Sequence, residues 1–252
     1  MGDSDESNMI RQKLKQNSPN AIGELFIIVV GVLIALAIDQ WNADRLERLE
    51  EVDAITRILV DLQTDLDDFD FRLKSVSAKE ESLIRVRSAL AKDIVVEPEQ
   101  FLTDIIVGAD FGWNQGFAQR PTYDNLMASG QLGIIQSADV RDKISNYYRL
   151  YKDEHIRIDE RETGYPALSY ELVPRRGLEE LRDGVTLERT LDPNLSEQQK
   201  LELVDLVLNS SISSQVTAEL NLARFIREVE LTLQWSAKTL AGELEIYLEQ
   251  IE

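Results

Sequence analysis

The sequence predicts an all-α protein carrying one N-terminal membrane-spanning helix, and three observations carry that prediction. Residues 21–38 form an apolar run containing a single charge. Between Gly31 and Pro98 no glycine or proline occurs, while apolar residues recur at helical spacing. Beyond residue 97 the segments open on Pro, Ser or Thr in capping or first-turn positions.

The run at 21–38 reads AIGELFIIVVGVLIALAI, with Glu24 as its one charge. As a helix it spans about 27 Å, close to the ~30 Å hydrocarbon core of a bilayer. Trp41 lies just past the apolar end, where an interfacial aromatic belongs, with Asp39 and Asn42 beside it. Gly23, Gly31 and Ala35 place small residues where a membrane helix packs closely against another. The uninterrupted apolar part, Leu25 to Ile38, also suits a signal peptide, and Ala35-Leu36-Ala37 resembles a cleavage site. More than twenty residues precede it, acidic at their start, and the helical pattern continues beyond it, which favours a retained anchor. Arg11, Lys13 and Lys15 before the run balance Arg45, Arg48 and Arg57 after it, so charge counting does not orient the span. The signal-like organisation points to an N-terminus in the cytoplasm and a C-terminal domain in the periplasm, with the span in a bacterial inner membrane.

After the anchor, Val52, Ile55, Leu59, Leu62, Leu66, Phe69, Leu73, Val76, Leu83 and Leu90 alternate at three and four residues, with Glu80 and Arg87 filling two slots. This predicts an amphipathic, coiled-coil-like stalk over 42–96, of which 42–92 would extend about 75 Å. Ile58, Val60, Phe71, Ile84 and Val86 lie off that seam and widen the stripe, which predicts packing against helices of the same chain. Asp61, Asp65, Asp67, Asp68 and Asp70 read as a solvated face opposite it; their spacing matches no calcium loop. The expected organisation is a tail (1–20), a transmembrane helix (21–41), the stalk (42–96), a central helical region (97–174), a linker (175–195) and C-terminal helices packing on the stalk (196–252).

Pro98 opens a helix running to about Asp110, followed by a loop rich in Gly and aromatics. Thr122 is expected to cap the next helix, which Gly130 ends. Ser137 caps a longer one, and Pro166 ends or kinks it. GVTLERTL is strand-like but has no evident partner and reads as loop. Ser196 and Gln199 form a capping box, and helical spacing then runs from Ile212 through Leu244.

Two blocks together resemble a bacterial family of single-pass membrane proteins classed as a domain of unknown function. The first is Gly23-Glu24, Gly31, Leu33-Ile34-Ala35-Leu36, Ile38-Asp39 and Trp41-Asn42. The second is Pro121-Thr122-Tyr123, Leu126, Ser129-Gly130, Leu132, Ile135, Arg141, Ile144 and Tyr147-Tyr148. The likeness covers about residues 20–150 and implies a membrane protein of mostly helical fold; it supplies no activity.

Composition narrows function by exclusion. Net charge is −19 over 252 residues, which opposes nucleic-acid binding. With no cysteine and one histidine, thiolate chemistry, disulfides and multi-histidine metal sites are excluded. His155, beside Glu154 and one turn from Asp159, reads as a packing residue rather than a zinc ligand. Glu24 is a candidate intramembrane ionisable group, because a carboxylate in a span is costly. Thr122, Tyr123, Ser129, Tyr147 and Tyr148 form a polar and aromatic set that could line a distal surface with Trp113 and Phe117. No catalytic, cofactor or metal residue is assigned. The expected function is a non-enzymatic envelope scaffold or interaction module, with the lipid bilayer, a second copy or another envelope protein as partner. The alternative is an ion- or proton-coupled membrane subunit working through Glu24.

Overall fold

A computed structural model describes residues 3–109, 118–175 and 190–251, with side chains from residue 24 onward. The described residues form seven α-helices: α1 (Asp3–Lys92), α2 (Pro98–Gly108), α3 (Pro121–Ala128), α4 (Ala138–Asp159), α5 (Tyr165–Leu172), α6 (Glu197–Leu208) and α7 (Ile212–Ile251). A 3-10 turn, Leu132–Ile134, joins α3 to α4. Among the described residues the only β pairing is an isolated antiparallel bridge between Arg175 and Leu191. It touches the last residue of GVTLERTL; the rest of that segment, at 184–189, lies outside the described residues.

The chain divides into two compact units, residues 1–53 with Ile251, and residues 54–250 with Glu252. In the first, α1 begins at Asp3, inside the segment read as a tail. Among the described residues one helix is long and apolar enough to cross a membrane; its apolar window has a mean hydropathy of 2.0 and is wholly unburied.

The second unit is built on the part of α1 from Ala54 onward and on α7. The two run antiparallel, since Asp70 meets Gln234, Arg72 meets Glu230 and Lys79 meets Glu219 in descending order along α7. The buried seam of α1 runs through Ile55, Ile58, Leu62, Asp65, Phe69, Arg72, Val76, Lys79, Leu83 and Val86, with Ala54, Asp61 and Ser82 buried beside it. The seam positions alternate strictly at three and four residues, the spacing of a helix–helix seam. This seam is not the one that hydrophobicity selects. It shares Ile55, Leu62, Phe69, Val76 and Leu83 with it. At the other heptad position it replaces half-buried Leu59, Leu66, Leu73 and Glu80 with Ile58, Asp65, Arg72 and Lys79. Counting apolar residues favours the wrong neighbour because three charges face inward here. Their burial is tolerable only because each meets a partner.

The partner helix α7 shows the same alternation, at Ile212, Val216, Glu219, Ala223, Ile226, Glu230, Leu233, Ala237, Leu240 and Leu244. The amphipathic helix α4 contributes Val140, Ile144, Tyr147, Tyr148, Tyr151 and Ile158 to the core. Helix α2 packs on α5 and α6, and it approaches α1 closely. A Cβ on Gly108 would lie 2.8 Å from Leu83 Cδ2 and 3.1 Å from the Tyr165 hydroxyl.

Local signals explain the helix boundaries. Ser137 accepts from the Val140 amide, and Ser196 with Gln199 closes a capping box. Pro166 lies in the first turn of α5, after α4 has already ended at Asp159. Gly130 adopts φ +69°, the left-handed conformation that ends α3. Thr122 does not cap α3. Arg120 occupies the cap position without a side-chain bond, Pro121 opens the helix, and Thr122 falls inside its first turn.

The seam register yields a direct expectation. Ile58→Ala should cost about 2–5 kcal/mol, as for a fully buried aliphatic residue. Val60→Ala, at a position 62% exposed, should change stability by less than about 0.5 kcal/mol. Urea unfolding of the two variants distinguishes this seam from the hydrophobic one.

Candidate functional site

The polar groups of greatest chemical interest lie in the second unit, where α1 meets α3, α4 and α7. They form two connected clusters.

The first is a pair of α1 carboxylates that receive the start of α3. The first amides of any helix lack intrahelical acceptors, and α3 has no capping side chain of its own. Asp61 Oδ2 accepts from the Thr122 amide at 3.1 Å, and Asp65 Oδ1 accepts from the Gln119 amide at 2.6 Å. The cap is therefore supplied by another helix, and negative charge sits at the positive end of the α3 dipole. Asp65 Oδ2 also accepts from the Tyr147 hydroxyl at 2.7 Å. The Tyr148 hydroxyl donates to the Gln119 carbonyl at 3.3 Å, and its ring stacks on Tyr123 with centroids 4.7 Å apart. Arg120 lies over both rings and pairs with Asp124. Arg141 ties α4 back to the Ile135 and Gln136 carbonyls.

The second cluster is the ion-pair ladder between α1 and α7. Arg72 Nε donates to Glu230 Oε2 at 3.0 Å, and the side chains are 4% and 0% exposed. Its Nη2 donates to the Tyr151 hydroxyl at 3.3 Å, and its guanidinium covers the Phe69 ring. Seven residues on, Lys79 pairs with Glu219, which also accepts from Thr163. On the flank, Glu80 receives both Arg224 and Arg227. His155 stacks on Tyr151 with centroids 4.4 Å apart and rings nearly parallel.

Burial shapes the electrostatics. It pushes the Asp65 carboxyl up to about 6, against the opposing pull of the Gln119 amide, Tyr147 and Arg72. Burial and the Arg72 charge push His155 down to about 4. Burial also raises Glu230, with Arg72 opposing. Burial raises Tyr147 as well, and the Asp65 charge reinforces it, so this phenol remains a hydrogen-bond donor.

The residues selected from sequence are partly brought together. Tyr123, Tyr147, Tyr148 and the Thr122 amide meet around Asp61 and Asp65, but as an interior contact. Tyr147 and Tyr148 are each 2% exposed, and their hydroxyls are turned to Asp65 and the Gln119 carbonyl rather than to solvent. Ser129 stands apart, exposed at the end of α3, where its hydroxyl donates to the Asn125 carbonyl at 2.7 Å. Trp113 and Phe117 lie outside the described residues. Asp61 and Asp65 correct the reading of a wholly solvated acidic face: they are 9% and 1% exposed, while Asp67 and Asp70 do face solvent. In the first unit, Glu24, Gly31, Ala35, Asp39, Trp41 and Asn42 are all exposed on α1, and Gly23 lies within the same helix. A side chain added at Gly31 would meet nothing within 4 Å. Among the described residues no three His, Asp or Glu groups are placed to hold a metal.

The ladder residues Arg72, Lys79, Glu219 and Glu230 were missed from sequence. A signal existed: Asp65, Arg72 and Lys79 recur every seven residues between apolar heptad positions. A helix seam interrupted by charge at a fixed heptad position is the pattern of a buried polar layer.

A family model described as a family of unknown function, DUF6090, matches residues 24–162. That stretch takes in α1 from Glu24 onward and α2 to α4, and so holds Asp61, Asp65, Arg72, Lys79 and Tyr147, whereas Glu219 and Glu230 lie beyond it. No curated protein and no solved structure matches the chain.

Two expectations follow from these clusters. Glu230→Ala leaves Arg72 buried without its acid and should cost about 3–5 kcal/mol. The double variant Arg72→Met with Glu230→Leu should recover most of that loss, and chemical unfolding of the three proteins measures it. The pH dependence has a defined sign. Asp65 ionises more easily unfolded than folded, so its contribution to stability is full below pH 4 and is lost as pH rises through about 6. His155 acts oppositely, contributing fully above about pH 6.5 and losing that contribution as pH falls toward about 4. Relative to wild type, Asp65→Asn should therefore gain up to about 3 kcal/mol between pH 4 and pH 7. Equal pH profiles of the two unfolding curves would contradict this.

Proposed function

This chain belongs to DUF6090, a family of unknown function, and we propose that it is a non-enzymatic, membrane-anchored envelope protein that works as a self-associating scaffold. The observation that supports this reading most strongly is the uncovered apolar face of α1. Ten large apolar side chains between Leu25 and Ile38 are 48–71% exposed. Leaving such side chains in water costs roughly 1.5–3 kcal/mol each. Their sum is on the order of 15–30 kcal/mol, more than the 5–15 kcal/mol that stabilises a typical fold. An apolar medium must therefore cover them. A bilayer spanned once by this helix meets the requirement along its whole circumference, and Trp41 at the end of the run suits the interface.

In this reading the span lies in a bacterial inner membrane, with the helical unit on the periplasmic side. The second unit supports an architectural role because its chemically capable groups are engaged with one another. Asp61 and Asp65 hold the start of α3, and Arg72 and Lys79 hold α7. Gly31 and Ala35 supply the small surface on which two anchors would pack.

The absence of native cysteine makes the test clean. An Ala35→Cys chain carries a single thiol, and oxidation in native membranes should yield a covalent dimer. Adding Gly31→Leu, which obstructs close helix approach, should reduce that dimer at least fivefold. A chain that stays monomeric at every oxidant concentration would sink the self-association proposal.

A further inference from the structure

Helices α4 and α7 leave a groove between them in the second unit. Leu150 and Trp235 border one lobe, Val140 and Ile246 border the other, and the Lys143–Glu243 ion pair at 3.3 Å divides the two. Trp235 is 69% exposed and Ile246 59% exposed. Eleven residues separate them along α7, three helical turns on one side of the helix. Isolated exposed apolar residues are ordinary, but an open indole and a second large aliphatic aligned with one groove mark an unpartnered surface.

We infer that this groove is an interface between two copies of this chain, related by a two-fold axis running along α4 and α7. The inference rests on the self-association proposed above and names its contact surface. Three observations select a second copy as the occupant.

The first is charge. A two-fold contact sets the α4 rim of one copy against the α7 rim of the other. The α4 rim carries Lys143 and Arg149, while the α7 rim carries Glu243. Lys143 also holds Asp139 at 2.9 Å. It can therefore keep Asp139 and exchange its own Glu243 for that of the second copy. A chain of net charge −19 repels itself generally, and this arrangement sets opposite rather than like charges against each other where contact occurs.

The second is the matching of lobes. With the axis along the helices, both copies present the same level to each other, so Trp235 of one reaches the Leu150 lobe of the other. The third is size. The groove is short beside the ~1,600 Å² of a standard interface. Two copies held in one membrane meet at high effective concentration, which lets a small contact suffice.

The experiment uses full-length single-cysteine chains in native membranes. Thr239→Cys, on the exposed α7 side of the groove, should be joined to a second copy by a short bismaleimide. Leu201→Cys, 53% exposed on α6, should not. In the Thr239→Cys background, K143E alone and E243K alone should each lower the dimer at least fivefold. Co-expressing the two with different tags should restore a mixed dimer above either like pair, because the acid introduced on α4 of one copy then faces the lysine introduced on α7 of the other. A purely structural effect of either charge predicts no such preference, and finding none overturns the inference. A Thr239→Cys monomer alongside an Ala35→Cys dimer overturns the groove contact while leaving anchor association standing. Monomers at both positions overturn the underlying reading too. A Thr239→Cys product of any mass other than the dimer identifies a different partner and also overturns it.

Discussion

The buried pairing of Arg72 with Glu230 is the constraint on which the second unit depends. Two charges taken out of water rarely repay their desolvation in net stability, and an apolar pair of similar volume often does as well. Their value lies in register. Arg72 and Lys79 are seven residues apart on α1, while Glu219 and Glu230 are eleven apart on α7. If α1 slid one heptad along its seam, Lys79 would reach the level of Glu230. Arg72 would then take the place that Asp65 vacates, facing Tyr147, and Glu219 would be left against Val86. One alignment satisfies both cations, and the slipped one strands a buried acid. An all-leucine seam would offer no such distinction.

The same logic governs α3. A helix of eight residues with no cap of its own has little stability in isolation. Asp61 and Asp65 give it an external cap, and Tyr147 fixes the orientation of Asp65 by occupying its second oxygen. The residues of the Pro121–Tyr148 block thus do one job together: they bring the α3–α4 hairpin onto α1. The stacked Tyr123 and Tyr148 rings fill the space beneath that contact.

Much of the fold was legible in the sequence because it rests on local chemistry. The caps at Ser137 and Ser196, the Gly130 terminator and the long apolar stretch of α1 each depend on a few adjacent residues. The seam was half legible. Ile55, Leu62, Phe69, Val76 and Leu83 were correctly selected, whereas Leu59, Leu66 and Leu73 outweighed Ile58, Asp65 and Arg72 because hydrophobicity cannot reveal a distant counterion. Glu230 lies 158 residues from Arg72, and nothing within either helix announces the other. Thr122 shows the same limit on a smaller scale. Its residue type suits a helix cap, but the Pro121 ring shifts the helix start so that its amide, not its hydroxyl, carries the contact. Of the polar and aromatic residues that look like a binding surface in sequence, Tyr123, Tyr147 and Tyr148 turn inward, while Ser129 stays exposed apart from them.

The position of α7 at the end of the chain has a consequence for biosynthesis. The ribosome delivers α1 first, with Arg72 and Lys79 already on the face that will be buried, and Glu219 and Glu230 emerge well over a hundred residues later. Until then the two cations lack their α7 partners, and the seam around them stays open to water. Any product that ends before residue 219 is left permanently in that state, with an unclosed helical surface. Such a fragment is the kind of substrate that quality-control proteases and chaperones recognise. The late acids therefore set the point in synthesis at which the α1 seam can close.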